Sequence, residues 1–136
     1  MKSYVLDASV VLTFLLGKSP TVKKKFIPVL QEVKNNKAKI YSSYLLPLEI
    51  GNGLRYSLAD NAMADEVLQK FLNLPIKYFV FSPAHYSRIL QLSYLLETSF
   101  YDTSYHFLAK LLKGVFLTCD TEYFKKAKKF GNIKLI

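Results

Sequence analysis

The sequence predicts an α/β protein, a three-layer α/β/α sandwich with a central, mainly parallel sheet of four or five strands. Two observations support this fold class. The first is that short apolar runs of strand length alternate with longer segments of helical periodicity. Strands separated by helices imply crossover connections, which give a parallel sheet covered by helices on both faces. The chain has 136 residues, of which 51% are hydrophobic, a size and composition suited to one core. We therefore expect a single domain over residues 1–136.

Five short runs rich in β-forming residues are predicted to be the strands. They cover residues 4–6, 39–42, 76–81, 115–117 and 133–136. The run 115–117 is entirely apolar, which indicates a strand buried on both faces of the sheet. The last run is expected to lie at an edge of the sheet.

Seven segments between these runs show apolar residues at helical spacing. They cover residues 10–16, 21–36, 47–58, 64–74, 83–97, 102–112 and 121–130. In the second segment, Val22, Phe26, Leu30 and Val33 fall on one helical face. Pro47 is expected at the favoured first position of its helix.

The composition excludes several classes of protein. Nineteen Lys and Arg against ten Asp and Glu give a net charge of +9, which suits a polyanionic partner. The single cysteine, Cys119, cannot form an internal disulfide. Apolar stretches are far shorter than the roughly 20 residues of a membrane span, and Asp7 interrupts the only signal-like segment. We expect a cytoplasmic protein without membrane association.

Four carboxylates fall near strand ends or helix starts: Asp7, Glu49, Asp102 and Asp120. Carboxyl ends of parallel strands meet at one edge of a sheet, where open α/β sheets bind ligands. Each acid alone is explained as a helix N-cap or a favourable charge in a first turn. Together, four converging carboxylates repel one another unless a cation compensates. Mg²⁺ or Mn²⁺ is the natural candidate, because these ions prefer oxygen ligands.

Other cofactors have little support. His85 and His106 are far apart and have no second ligand at zinc-site spacing, and no glycine-rich phosphate loop is present. His106 lies one helical turn after Asp102. We interpret it as a buried structural histidine, with assistance to the acidic site as the alternative.

Four segments carry a resemblance to a known family: YVLDASVVLTFLL, SSYLLPLEIGNGL, YDTSYHFLAKLL and GVFLTCDTEYFKKA. In order and spacing they resemble the four motifs of the PIN-domain nucleases, and within that family they are most similar to the VapC-type toxin ribonucleases of prokaryotic toxin–antitoxin pairs. The resemblance maps the acids of the catalytic site onto Asp7, Glu49, Asp102 and Asp120. The polar residues that it implies as supports for these acids are Ser9, Asn52 and Thr118.

The resemblance implies a metal-dependent endoribonuclease. Mg²⁺ or Mn²⁺ would be held by Asp7, Asp102 and Asp120, while Glu49 holds a water or orients the nucleophile. RNA is the implied substrate, and a homodimer, a cytoplasmic location and a cognate antitoxin are the implied setting. An RNA-binding domain of the same fold without nuclease activity is the alternative. A phosphoacceptor signalling domain fits poorly, because Asp7 has no adjacent acid.

The basic residues allow two interpretations. Two lysine runs, within residues 23–25 and 125–129, are either solvated helix faces or contacts with an RNA backbone. Arg55 follows Glu49 by six residues and is a weaker candidate for RNA contact.

Overall fold

A computed structural model describes residues Met1–Ile136 as five strands and seven α-helices. The strands are β1 (Lys2–Leu6), β2 (Ala38–Ser43), β3 (Ile76–Phe79), β4 (Val115–Thr118) and β5 (Ile133–Leu135). The helices are α1 (Ala8–Leu15), α2 (Pro20–Lys34), α3 (Leu45–Ser57), α4 (Asn61–Leu72), α5 (Pro83–Leu96), α6 (Phe100–Leu111) and α7 (Thr121–Ala127). A short 3-10 helix, Lys128–Phe130, extends α7.

The strands form one sheet in the order β3-β2-β1-β4-β5, and every pair is parallel. The predicted α/β sandwich is confirmed, with five strands and β5 at an edge. The central strand β1 pairs with β2 on one side and β4 on the other, so Val5 lies between Tyr41 and Phe116. The strand order reverses between β1 and β4, the position where open α/β sheets form a crevice at their carboxyl edge.

The helices bury their apolar faces against the sheet in one core of 23 residues. Helix α2 contributes Phe26 and Val29, and α3 contributes Ile50 and Leu54. Burial of each large apolar side chain stabilises the fold by about 1.5–3 kcal/mol. None of the helices combines the length and the hydropathy that crossing a bilayer requires.

Several element boundaries differ from the sequence prediction. Helix α3 begins at Leu45, so Pro47 is its third residue and not its first. This position is allowed because N–H groups of the first turn have no intrahelical acceptor. Helix α4 begins at Asn61, because Asp60 caps it by accepting the Ala62 N–H at 2.9 Å. Strand β3 ends at Phe79, two residues earlier than expected.

Candidate active site

Asp7 lies directly after β1 and only 6% of its surface is exposed. Ser9 Oγ donates to its Oδ1 at 2.6 Å, and Thr118 Oγ1 donates to its Oδ2 at 2.7 Å. The Val10 N–H donates to Oδ1 at 3.2 Å, which makes Asp7 the N-cap of α1. Capping explains one of these hydrogen bonds. The two hydroxyl donors come from separate parts of the chain and fix the orientation of the carboxylate.

Thr118, the last residue of β4, links Asp7 to Asp120. Its hydroxyl oxygen donates to Asp7 and also accepts the Asp120 N–H at 3.1 Å. Leu6 and Leu117 are opposite each other in the register of β1 and β4, so the two strands end together. Asp120 is also the N-cap of α7, accepting an N–H of the first turn at 3.0 Å. The capping interpretation therefore holds for both aspartates and coexists with their placement at one edge.

Helix α6 packs against β1 and β4 and carries Asp102. The capping interpretation is wrong for this residue, because Ser99 is the N-cap and its Oγ accepts the Asp102 N–H at 3.1 Å. Asp102 is the third helical residue and is half-buried. The first-turn interpretation is also wrong for Glu49, which is the fifth residue of α3.

Glu49 is tied to α6 by Tyr105, which belongs to the third motif segment, YDTSYHFLAKLL, but was not among the predicted site residues. The Tyr105 hydroxyl donates to Glu49 Oε1. The tyrosine is fully buried, and its ring stacks on Phe116 of β4 at an interplanar angle of 20°. Tyr105 follows Asp102 by three residues, a spacing that places both on one helical face. That spacing is the sequence signal that could have identified it.

The surroundings of Asp7 and Asp102 oppose ionisation of these two carboxylates. Burial raises the pKa of Asp7 from an ordinary value of 3.8 to about 6, although three hydrogen bonds lower it, and the charge of Asp102 adds to the rise. Burial also raises the pKa of Asp102, and the charge of Asp120 adds to that rise. Burial and the hydrogen bond to Glu49 raise the pKa of Tyr105, which keeps its hydroxyl protonated as a donor. The charge of Asp102 therefore acts on Asp7, and the charge of Asp120 acts on Asp102.

No ion pair compensates these charges. The only ion pair in the structure joins Lys2 Nζ to Glu32 Oε2 at 3.2 Å, at the amino end of β1 and away from the aspartates. The chain nevertheless carries a net charge of +9. Burial of an ionised carboxylate without a cationic partner costs free energy. The aspartates are therefore stabilised either by binding a proton or by binding a cation.

A cavity of about 140 Å³ opens where α6, α7 and the segment after α5 meet. Five charged residues line it: Glu97, Asp102, Asp120, Glu122 and Lys126. The aspartates of α6 and of the β4–α7 connection thus share one solvent-accessible cavity.

The chemistry of the donor set fits Mg²⁺ or Mn²⁺, because it consists of carboxylates supported by hydroxyl groups. No three Asp, Glu, His or Cys side chains lie close enough together to hold one ion. Mg²⁺ commonly uses one or two carboxylates and completes its shell with waters and substrate phosphates. Asp102 and Asp120, which line the shared cavity, meet that lower requirement. A site formed by Asp7, Asp102 and Asp120 together stays a prediction.

Three solved structures share this architecture. PAE2754 from Pyrobaculum aerophilum is 25% identical, with a TM-score of 0.67 over 93% of this chain and 87% of that one. VapBC2 from Rickettsia felis, bound to a DNA fragment from its promoter, is 14% identical, with a TM-score of 0.70 over 98% and 97%. VapBC-1 from nontypeable Haemophilus influenzae is 12% identical, with a TM-score of 0.63 over the same shares. The chain has a PIN-domain, VapC-like fold. No protein-family model and no curated protein matches it.

Within this PIN-domain fold, the remaining candidate residues lie in different surroundings. Ser9 and Thr118 contact Asp7, as described. Asn52 is exposed on α3, one turn after Glu49. Arg55 lies about 240° around the helix from Glu49. It lines a groove between α3 and α4, so the structure does not bring it together with the acidic residues.

Gly53 explains how α3, the helix that carries Glu49, comes close to α1. A Cβ atom at this position would overlap Leu12 Cδ1 of α1. The glycine, one helical turn after Glu49, therefore permits a close approach of α3 to α1. Helix α1 begins at Ala8, directly after Asp7.

His106 has a structural role in the fold. It is fully buried, and its Nε2 lies 2.6 Å from the Gly131 carbonyl oxygen. A carbonyl only accepts, so Nε2 carries the proton and Nδ1 accepts from the Tyr123 hydroxyl at 2.9 Å. Burial lowers the pKa of His106. The histidine therefore joins α6 to α7 as a neutral side chain.

Proposed function

We propose that this protein is a Mg²⁺- or Mn²⁺-dependent endoribonuclease that hydrolyses RNA phosphodiester bonds, and that it is the toxin of a toxin–antitoxin pair. One observation carries the proposal. At the carboxyl edge of a PIN-domain sheet, Thr118 links Asp7 to Asp120, Asp102 and Asp120 line one cavity, and no ion pair compensates the three carboxylates. The four motifs and the net charge of +9 support RNA as the substrate.

The chain's own residues prepare the site for hydrolysis. Ser9 and Thr118 hold the two oxygens of Asp7 in one orientation, so the carboxylate needs no rearrangement to bind a cation. Tyr105 holds Glu49, which we assign to orienting the attacking water. When bound, the metal ion acidifies water and offsets the charge that develops on the phosphate oxygens.

The test is cleavage of mixed RNA by the purified protein with Mg²⁺ or Mn²⁺, with EDTA as the negative control. Asp102→Asn should abolish cleavage while the protein remains folded, because it removes one carboxylate charge without changing the shape of the side chain. Asp65→Asn is the matched control, since Asp65 is exposed on α4. Cleavage by Asp102→Asn at the wild-type rate would remove Asp102 from the site.

The alternative is an RNA-binding domain of the same fold that does not cleave. It is favoured by the observation that no three potential ligands lie close enough together for one ion. The same assay separates the two functions. RNA binding by the wild-type protein without any cleavage in Mg²⁺ or Mn²⁺ would favour the alternative.

We further propose a cognate antitoxin as partner, a cytoplasmic location and a homodimer. The homodimer is supported by exposed apolar residues on one face of α5, where Tyr86, Leu90 and Tyr94 recur every four residues with 49%, 48% and 79% of their surfaces exposed. Neighbouring exposed residues Tyr44 and Tyr101 line an adjacent cavity of about 250 Å³ together with Tyr86. Apolar patches of this kind commonly mark protein interfaces.

A further inference from the structure

Lys126 is the only cationic residue that lines the cavity containing Asp102 and Asp120. It belongs to α7, the helix that Asp120 caps. The other lysines of the same basic run, Lys125, Lys128 and Lys129, do not line this cavity. Position therefore separates Lys126 from a run of otherwise similar exposed side chains.

The ammonium group of Lys126 is not paired with any of the carboxylates that line the same cavity. Its Nζ forms no ion pair with Asp102, Asp120 or Glu122. It donates instead to the backbone carbonyl oxygen of Glu97 at 3.1 Å. A carbonyl accepts a hydrogen bond but carries no net charge, so the ammonium group keeps its positive charge at the cavity wall.

The backbone of Glu97 provides this anchor. Glu97 ends α5 in the left-handed conformation, with φ 56° and ψ 46°, which is uncommon for a residue other than glycine. The left-handed residue turns the chain from α5 towards α6 and leaves its carbonyl within reach of Lys126. The ammonium group is thus held by a fixed backbone atom on the element next to the one that carries Asp102.

We propose that Lys126 binds a phosphate of the RNA backbone beside the bond to be cleaved, and that the Glu97 carbonyl positions it there. The inference rests on the proposed function. A cavity lined by Asp102, Asp120 and Glu122 repels a phosphate, so a substrate that enters needs a positive group beyond any metal ion. The lysine ammonium group is a common point-charge partner of phosphate in proteins.

The experiment compares Lys126→Gln with two matched controls, Lys125→Gln and Lys129→Gln, which remove the same charge from exposed positions nearby. For a single-stranded RNA in Mg²⁺, kcat/KM should fall about tenfold in Lys126→Gln, as expected for the loss of one charged hydrogen bond. The controls should stay within about twofold of the wild-type value. Lys126→Arg should restore most of the loss, because it keeps the charge.

A binding measurement supplies a second readout that does not depend on turnover. In the Asp102→Asn background, affinity for the same RNA is measured by fluorescence anisotropy at several salt concentrations. Adding Lys126→Gln should lower the affinity and reduce the slope of log affinity against log salt by about 1. Thermal melting of each variant shows how much the hydrogen bond from Lys126 to the Glu97 carbonyl contributes to the stability of the fold.

The outcomes separate the two proposals. If wild-type protein cleaves RNA and Lys126→Gln behaves like the two controls, the role of Lys126 is overturned and the nuclease stands. If RNA binding depends on Lys126 but no cleavage occurs, the contact of Lys126 with an RNA phosphate stands, whereas the nuclease and the position of that phosphate beside a cleaved bond are overturned. If Lys126→Gln lowers the melting temperature and Lys126→Arg fails to restore kcat/KM, the lysine is structural and the inference is wrong. Absence of both RNA binding and cleavage in the wild-type protein overturns both.

Discussion

Asp7→Asn should stabilise the protein at neutral pH in the absence of divalent metal. The side chain is almost completely buried, and burial raises its pKa from an ordinary value of 3.8 to about 6. At pH 7 the native state therefore carries a buried carboxylate that would be easier to ionise in the unfolded chain. Asparagine has nearly the same shape and no charge, so it removes this penalty.

The magnitude follows from the same pKa rise. At about 1.4 kcal/mol per pH unit, ionised Asp7 costs the native state about 3 kcal/mol. Asparagine offers one acceptor oxygen where the carboxylate offers two, so either Ser9 or Thr118 loses its acceptor, at about 1 kcal/mol. The net gain is about 2 kcal/mol. For 136 residues, with about 2.1 cal/mol/K of unfolding entropy per residue, that gain raises Tm by about 7 °C.

The pH dependence has a definite sign. Between pH 3.8 and about 6, native Asp7 keeps its proton while the unfolded chain has lost it, so the native state binds more protons. The contribution of Asp7 to stability therefore falls as pH rises through this window and is constant above it. Thermal melting in EDTA at several pH values should show Asp7→Asn above wild type at pH 7, with a difference that falls with pH and reverses near pH 4, where only the lost hydrogen bond remains.

Two results would refute this reasoning. One is a variant that melts below the wild-type protein at pH 7 in EDTA, and the other is a difference that does not change between pH 4 and pH 7. Mg²⁺ provides a second check. If Asp7 is a metal ligand, Mg²⁺ at 100 times its Kd should stabilise the wild-type protein by about 2.7 kcal/mol and stabilise the variant much less.

Three further substitutions test other parts of the structure. Tyr105→Phe removes the donor to Glu49 and should lower kcat for RNA cleavage about tenfold while the protein remains folded. Gly114→Ala places a Cβ against the Ser3 carbonyl oxygen and should lower the free energy of unfolding by about 1–3 kcal/mol in a denaturant titration. Tyr94→Lys adds a charge to the exposed face of α5 and should shift the protein from dimer to monomer in sedimentation experiments.

Each substitution has a matched control. Tyr4→Phe also removes a hydrogen bond from tyrosine to glutamate, at 3.1 Å from Glu32 and remote from the site, so equal loss of cleavage in both variants would contradict the role of Tyr105. Gly51→Ala meets no atom within 4 Å and should stabilise α3 by up to about 1 kcal/mol. Tyr56→Lys changes an exposed residue of α3, and dimer loss there too would remove the specific assignment of α5.

The fold could be predicted because local and global patterns agree. An apolar run such as residues 115–117 has too few polar side chains to be an exposed strand. The apolar residues of 21–36 recur at helical spacing, so they form one helical face that must pack against another apolar surface. The placement of Asp7 and Asp120 followed from the topology alone, since parallel strands end at one edge. Boundaries were less predictable. Helix α6 begins at Phe100 because the Ser99 side chain caps it. Thr98 and Asp102 are nearby and could also cap a helix, so the sequence does not identify which residue is the N-cap.

Contacts between distant residues could not be predicted from the pattern. The hydrogen bond from Tyr105 to Glu49 joins residues 56 positions apart, and it depends on how α3 and α6 pack. The bond from Lys126 to the Glu97 carbonyl depends on a left-handed residue, for which glutamate gives no sequence signal. Arg55 lies on a different face of α3 from Glu49, which its separation along the chain did not reveal, and its contact with RNA stays a prediction.

The central position of β1 has a consequence for synthesis of the protein. Asp7 is oriented by Thr118, 111 positions later, and Ser9 accepts from the Cys119 N–H, 110 positions later. A nascent chain cannot form these hydrogen bonds until β4 has left the ribosome, since β1 has only β2 beside it before then. A fragment that ends between residues 49 and 102 holds Asp7 and Glu49 without Asp102 and Asp120. On the proposed function, cleavage therefore begins only with chains synthesised past residue 120.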